Sequence, residues 1–316
     1  MIKVTNLTKK YGNHTAVNSI SFEVGENMVL GFLGPNGAGK TTTMNMVTGY
    51  IASSDGEILI NGHDILREPI EAKKCIGYLP EHPPLYSDML VCEYLEFVYE
   101  LKKIKGKNKK EHLEEVMEKV GLTHVKDRVI KNLSKGYQQR VGFAQALVGD
   151  PKILILDEPT VGLDPNQIVE IRNVIRELGK EHTVVFSSHI LPEIRAVCDH
   201  IIIINKGEIV ATGETEALLN EAGKSNLLRL VTVEKAEQVL KSVSGVEEFS
   251  VVSEKEEEYV YQLTLSEHTN VKDLSVALSK AGIVVTEMHK NETSLEQLFA
   301  QLTAEVKEDE TNESDI

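Results

Sequence analysis

Polar and apolar positions alternate along this chain in two rhythms. Short apolar runs at 28–33, 75–79, 153–156, 183–186 and 201–204 close on glycine, proline or polar residues. Their length and composition predict strands buried on both faces, as in a parallel sheet. Residues 2–8 and 16–22 read as strands around the turn 11–14, and 55–62 as turn, strand and turn. Longer segments carry helical spacing: 91–103, with Leu95, Val98 and Leu101 in phase, then 109–120, 134–147 and 166–178. Residues 201–205 and 208–212 predict a hairpin over Lys206 and Gly207, followed by a closing helix at 214–220. Strand and helix in alternation predict an α/β domain, helices around a mainly parallel sheet. Its ligand belongs beyond the carboxyl ends of the strands.

A different pattern begins after 221–225, which reads as a linker. Strand 227–233, helix 234–241, strands 247–252 and 258–265, helix 271–281, strand 283–288 and helix 294–302 follow. The β-α-β-β-α-β order is that of a small α+β, ferredoxin-like domain. Residues 305–316 carry six acids and one lysine and predict a disordered tail. The expected division is therefore 1–220, 226–303 and 304–316.

Charge sharpens this division. The net charge of −15 is concentrated after residue 216, where 9 Lys/Arg face 20 Asp/Glu. An acidic second domain argues against nucleic acid or anionic lipid as its partner. The basic run 102–110 lacks stacking aromatics and reads as a solvated connector. Three scattered cysteines show no metal or disulfide spacing, as in cytosolic proteins. The apolar runs are too short to span a bilayer, so any membrane crossing falls to another chain.

The chemistry gathers at three strand ends. After the run 28–33, Gly34 to Thr41 fit G-x-x-x-x-G-K-[ST]. Gly34, Gly37 and Gly39 let successive backbone N–H groups turn toward a phosphate chain, and a helix start adds its positive end. Pro35, Asn36, Ala38 and Thr42 complete the stretch. Lys40 is expected at the β- and γ-phosphates and Thr41 at Mg²⁺. Such a site needs a second strand that brings an acid to the metal, and Asp157 supplies it. Pleat geometry points the adjacent Glu158 to the other side, toward the γ-phosphate and the attacking water. His189 closes the third strand. It caps a strand end on one reading, and contacts the γ-phosphate or holds that water on the other, which the two neighbouring strand ends favour.

Taken in order, these motifs resemble those of an ATP-binding cassette (ABC) subunit over residues 1–216. Tyr11 matches the aromatic that stacks on adenine, Gly34 to Thr41 the Walker A loop, and Ile153 to Glu158 the Walker B strand. Residues 162–165 match the D-loop and His189 the switch histidine. Leu133-Ser134-Lys135-Gly136-Tyr137 stands where the family has its Leu-Ser-Gly-Gly-Gln signature. The resemblance implies a P-loop NTPase fold with a helical subdomain, ATP and Mg²⁺ as ligands, and a homodimer closed head to tail through ATP. Each nucleotide would lie between the Walker loop of one copy and Ser134, Lys135 and Gly136 of the other. It also implies separate transmembrane permease subunits, docked through 81–86 and 91–103, and a cytoplasmic location on the inner face of the membrane.

The sequence departs from the family at three places. Lys135 replaces Gly and Tyr137 replaces Gln in the signature, and Glu81 stands where the Q-loop has Gln. A carboxylate still offers an oxygen to Mg²⁺, so Glu81 joins Thr41 and Asp157 as an expected metal contact. The set, with residues 293–303, is similar to prokaryotic exporter cassettes of the drug-resistance and gliding-motility type. The alternative is a soluble cassette ATPase acting on nucleic acid or ribosomes. A single motif set, and about 110 residues between the Walker motifs without sustained heptads, speak against it.

Overall fold

Five of the apolar runs lie side by side in one sheet, because only there are both of their faces covered. The computed structural model describes residues 1–106, 108–218, 227–255, 258–266, 269 and 271–290. It divides into two units, Met1–Thr215 and Glu216–Ile316.

In the first unit, β1 (Ile2–Tyr11), β2 (His14–Val24), β4 (Asp55–Ile60) and β5 (His63–Asp64) form an antiparallel sheet of order β2-β1-β4-β5. The second sheet contains β3 (Val29–Leu33), β6 (Ile76–Leu79), β7 (Ile153–Asp157), β8 (Thr183–Ser188), β9 (His200–Asn205) and β10 (Glu208–Glu214). Its order is β10-β9-β3-β8-β7-β6, parallel except for the β10 edge. Every residue of β3, β7 and β8 is buried. One core joins the two sheets: Ile2, Val4, Ile58 and Ile60 pack with Leu30, Phe32, Ile155 and Ile202, around Met44 and Met46 of α1 (Lys40–Val47). Against the other face of β3, α7 (Leu191–Val197) approaches so closely that a Cβ on Gly31 would lie 2.6 Å from Ile194 Cγ2.

The remaining helices of this unit are α2 (Pro69–Lys74), α3 (Val91–Leu101), α4 (Lys109–Lys119), α5 (Lys135–Leu147) and α6 (Pro165–Leu178). Two expectations change here. Glu214 ends β10 opposite His200, so the expected closing helix begins one residue later, and 215–218 are helical among the described residues. Lys102 is exposed, as expected of the solvated connector, but it is tied down at its tip: its ammonium donates to the carbonyls of Gln145 (3.1 Å) and Val148 (2.6 Å) at the end of α5. Lysine there complements the negative end of the helix.

In the second unit, β11 (Leu227–Thr232), β12 (Val246–Lys255), β13 (Glu258–Leu265) and β14 (Val285–Lys290) form an antiparallel sheet of order β12-β13-β11-β14. That is the ferredoxin-like order. Leu228, Leu230, Tyr261 and Leu263 pack with Leu240 of α8 (Glu237–Leu240) and with Leu274 and Leu278 of α9 (Val271–Lys280). The first helix is shorter than the expected 234–241 because its leading groups are engaged elsewhere. Thr232 Oγ1 donates to Glu234 O (2.7 Å), and Ala236 N donates to the Tyr261 hydroxyl (2.9 Å). The expected linker 221–225, helix 294–302 and tail 304–316 lie outside the described residues. No described helix is long and apolar enough to cross a membrane.

The contact of α5 with β6 gives a test. A Cβ on Gly77 would run into the carbonyl oxygen of Ala146. Gly77→Ala forces helix and sheet apart, at a cost of about 1–3 kcal/mol. Calorimetry should show the first unit melting at least about 3 °C lower; an unchanged transition would refute the close contact.

Candidate active site

The register of the parallel strands brings the chemistry together. Leu33 of β3 is level with Ser188 of β8, and Asp157 of β7 with Ser187. The residues that follow therefore emerge at one edge, where a cavity of about 440 Å³ opens. Asn36, Gly37, Gly39, Lys40, Thr41 and Thr42 line it together with Glu158, His189, Tyr11 and Glu81. Gly34, Pro35 and Ala38, also expected at the site, do not line it. A Cβ on Gly34 would lie 2.5 Å from Ile204 O, and Gly39 has φ +103° with Ala16 O 2.7 Å from where its Cβ would be. Both approaches exclude a side chain. The loop delivers its chain to α1, whose first turn carries no acid to repel an anion.

Lys40 is 5% exposed and is held by the groups nearest it. Its ammonium donates to Gly34 O (2.8 Å) and Pro35 O (3.1 Å) and lies 3.3 Å from Glu158 Oε1. The other oxygen, Glu158 Oε2, is 2.9 Å from His189 Nδ1. With Nδ1–H donated there, a neutral His189 presents Nε2 to the cavity as an acceptor. One network thus joins the three expected groups.

Asp157 and Glu158 do have separate surroundings, but not through the pleat alone. β7 ends at Asp157, and Glu158 takes a left-handed backbone conformation, φ +48°. Its N–H is secured by Ser187 Oγ at 2.9 Å. Asp157 does not line the main cavity. It borders a second cleft of about 650 Å³, which shares Thr41 and Glu81 with the first. Asp157 Oδ1 accepts from Ser187 Oγ (2.6 Å) and Thr41 Oγ1 (3.3 Å), whereas Oδ2 is buried without a hydrogen-bond partner. Burial holds the Asp157 carboxyl above the usual range; the Ser187 and Thr41 hydroxyls oppose this, and the nearby charges of Glu158 and Glu81 reinforce it. An orphaned carboxylate oxygen beside a threonine hydroxyl fits a divalent cation whose other ligands are phosphate and water. Among the described residues, no cluster of three His, Cys, Asp or Glu side chains is arranged to hold a metal unaided.

Ser134, Lys135 and Gly136 lie away from this cavity, at the start of α5. Ser134 caps the helix, its Oγ accepting from Tyr137 N at 3.4 Å. The Lys135 ammonium rests over Gly162, where a Cβ would collide with it, and Gly136 packs on Gln167. Tyr137, in the Gln position, is absorbed locally: its hydroxyl meets His124 Nε2 at 3.0 Å, and Arg140 lies over its ring. Sequence reading missed His14, Ala16 and Val161, which line the cavity, and Ser187, which serves both acids. The serine pair closing an apolar run was the available signal for Ser187.

Comparison with known proteins bears on the family of the chain. Residues 17–161 match the family model described as ABC transporter. The chain is 33% identical to the linearmycin resistance ATP-binding protein LnrL of Bacillus subtilis, over 98% of this chain and 100% of that one. It is 42% identical to the bacitracin transport ATP-binding protein BcrA of Bacillus licheniformis, over 66% and 68%. Among solved structures, cbiO1 from Clostridium perfringens, part of the ABC transporter complex cbiONQ, superposes with a TM-score of 0.64. It is 28% identical, covering 70% of this chain and 90% of that one.

The strained electrostatics of Asp157 can be measured. Because burial disfavours its ionised form, Asp157→Asn should raise the melting temperature at pH 7.5 by about 2 °C or more. The gain should fade as pH falls and Asp157 itself takes up a proton. A variant that melts lower at neutral pH would contradict this.

Proposed function

The chain belongs to the ABC transporter ATP-binding family, and from that membership we propose how its own residues divide the work. It is the ATP-binding and ATP-hydrolysing subunit of a transporter. The observation that carries the assignment of roles is the Lys40–Glu158–His189 network at the ends of three adjacent strands. The walls of the cavity receive the triphosphate, with the backbone N–H groups of residues 36, 37 and 39–42 around the phosphates and Tyr11 against the base. An incoming phosphate competes with Glu158 for Lys40. Once Lys40 turns to phosphate, Glu158 is free to take a proton from water as its oxygen attacks the γ-phosphorus and the bond to the β-phosphate oxygen breaks. His189 keeps the carboxylate aimed through Nδ1. Thr41 and Asp157, with Glu81, would hold Mg²⁺, which supplies charge neutralisation on the phosphates when bound.

A second copy completes each site. Ser134, Lys135 and Gly136 sit at a helix N-terminus suited to phosphate, yet outside the cavity of their own chain. A head-to-tail homodimer brings them to the partner's nucleotide, so cleavage loosens the interface. Membrane-spanning subunits dock on 81–86 and α3, where Tyr86 and Phe97 are exposed and meet edge to face at 5.3 Å. The names of LnrL and BcrA support export as the direction, and a place on the inner face of the membrane follows from partnership with a permease.

Glu158→Gln should still bind ATP but hydrolyse it at least about 100-fold more slowly, and accumulate as an ATP-dependent dimer by light scattering. Wild-type turnover would exclude Glu158 from the role given to it. Glu81→Gln should keep ATPase activity while shifting the Mg²⁺ concentration for half-maximal rate; an unchanged Mg²⁺ titration removes Glu81 from the metal.

A further inference from the structure

Glu193, in the first turn of α7, is 1% exposed, and its carboxylate is held by hydroxyl groups. Oε2 accepts from Thr160 Oγ1 at 2.6 Å and from Ser188 Oγ at 3.0 Å. Both hydroxyls are buried as well. Ser188 Oγ also accepts from Ile190 N (3.0 Å), so it braces the peptide that follows His189. Ser188 O accepts from Gly34 N (3.4 Å), the first residue of the phosphate loop. On the other side, Thr160 O accepts from Leu163 N (3.2 Å) and Glu158 O from Val161 N (3.2 Å), which shapes the turn after β7.

One oxygen therefore ties together the turn that carries Glu158 and the loop that carries His189. Burying a carboxylate is costly, and an apolar side chain would fill the space more cheaply. What an apolar residue lacks is an acceptor able to serve two hydroxyl donors at once. We propose that Glu193 is a positioning residue for ATP cleavage, holding Thr160 and Ser188 in one register so that the Glu158 carboxylate and the His189 ring meet. This rests on the role given to Glu158 above. A buried hydrogen-bonded network favours one arrangement of its members, and Glu193 is the member common to both loops.

The test compares Glu193→Ala, Thr160→Val, their double variant and Glu193→Gln in the full chain, measuring kcat and KM for ATP, nucleotide affinity and melting temperature. Glu193→Ala and Thr160→Val should each lower kcat at least tenfold, with KM and affinity within twofold. The double variant should be no slower than the slower single, as expected for one shared path. Glu193→Gln, whose amide oxygen can accept from both hydroxyls, should keep at least half of kcat. If Glu193→Ala does not fold, Thr160→Val and Glu193→Gln decide the matter alone. The proposal falls if folded Glu193→Ala or Thr160→Val turns over ATP within twofold of the parent, or if their effects multiply. Glu158→Gln measured alongside separates the two readings. An inert Glu158→Gln beside an unimpaired Glu193→Ala overturns the positioning role only, whereas an active Glu158→Gln overturns both.

Discussion

Three parallel strands that stop at the same level impose the main constraint on this molecule. β3, β8 and β7 are neighbours in strict register, so the residues after them share one small volume. Into that volume come a buried lysine, two buried acids and an imidazole. Charges packed so closely away from water are tolerable only when each is paired. Lys40 satisfies Glu158, hydroxyls satisfy one oxygen of Asp157, and the second oxygen of Asp157 has no partner. The site is thus left with one buried carboxylate oxygen unpaired and with a lysine held by its own chain's acid and carbonyls.

The same constraint explains the hydroxyl groups below the acids. Ser187 accepts from the Glu158 backbone and donates to Asp157, while Ser188 and Thr160 converge on Glu193. Glu158 needs this support because its backbone is left-handed, a conformation that non-glycine residues hold only when their neighbours determine it. Turning the chain there separates two acids that would otherwise repel each other at one strand end. Burial against the flanking core supplies the rigidity, and the hydrogen bonds supply the aim.

Much of this was legible in the sequence, for physical reasons. Buried parallel strands need continuous apolar runs, so β3, β7, β8 and β9 announced themselves. The phosphate loop needs glycines where side chains would collide, so Gly34 and Gly39 stood out. What sequence alone left open depended on contacts between distant segments. Nothing near Lys102 signals that it would reach the end of α5, 43 to 46 residues away. Glu234 to Ala236 looked helical until Tyr261 and Thr232 took their backbone groups. The pleat argument separated Asp157 from Glu158 but missed the left-handed turn that does so. Ser187 carries no motif of its own and becomes functional only through its position in the ladder.

On the proposed reading a single chain holds half of each site: the phosphate loop, Glu158 and His189 line one cavity, while the start of α5 lies outside it. Mixing two defective chains tests this most directly, one carrying Lys40→Ala and the other Ser134→Arg. Each forms only damaged sites with itself, but a mixed pair contains one site with an intact loop and an intact helix start. ATP turnover in the mixture should rise clearly above the sum of the two separate proteins. Turnover that stays at that sum across all mixing ratios would contradict a site shared between two copies.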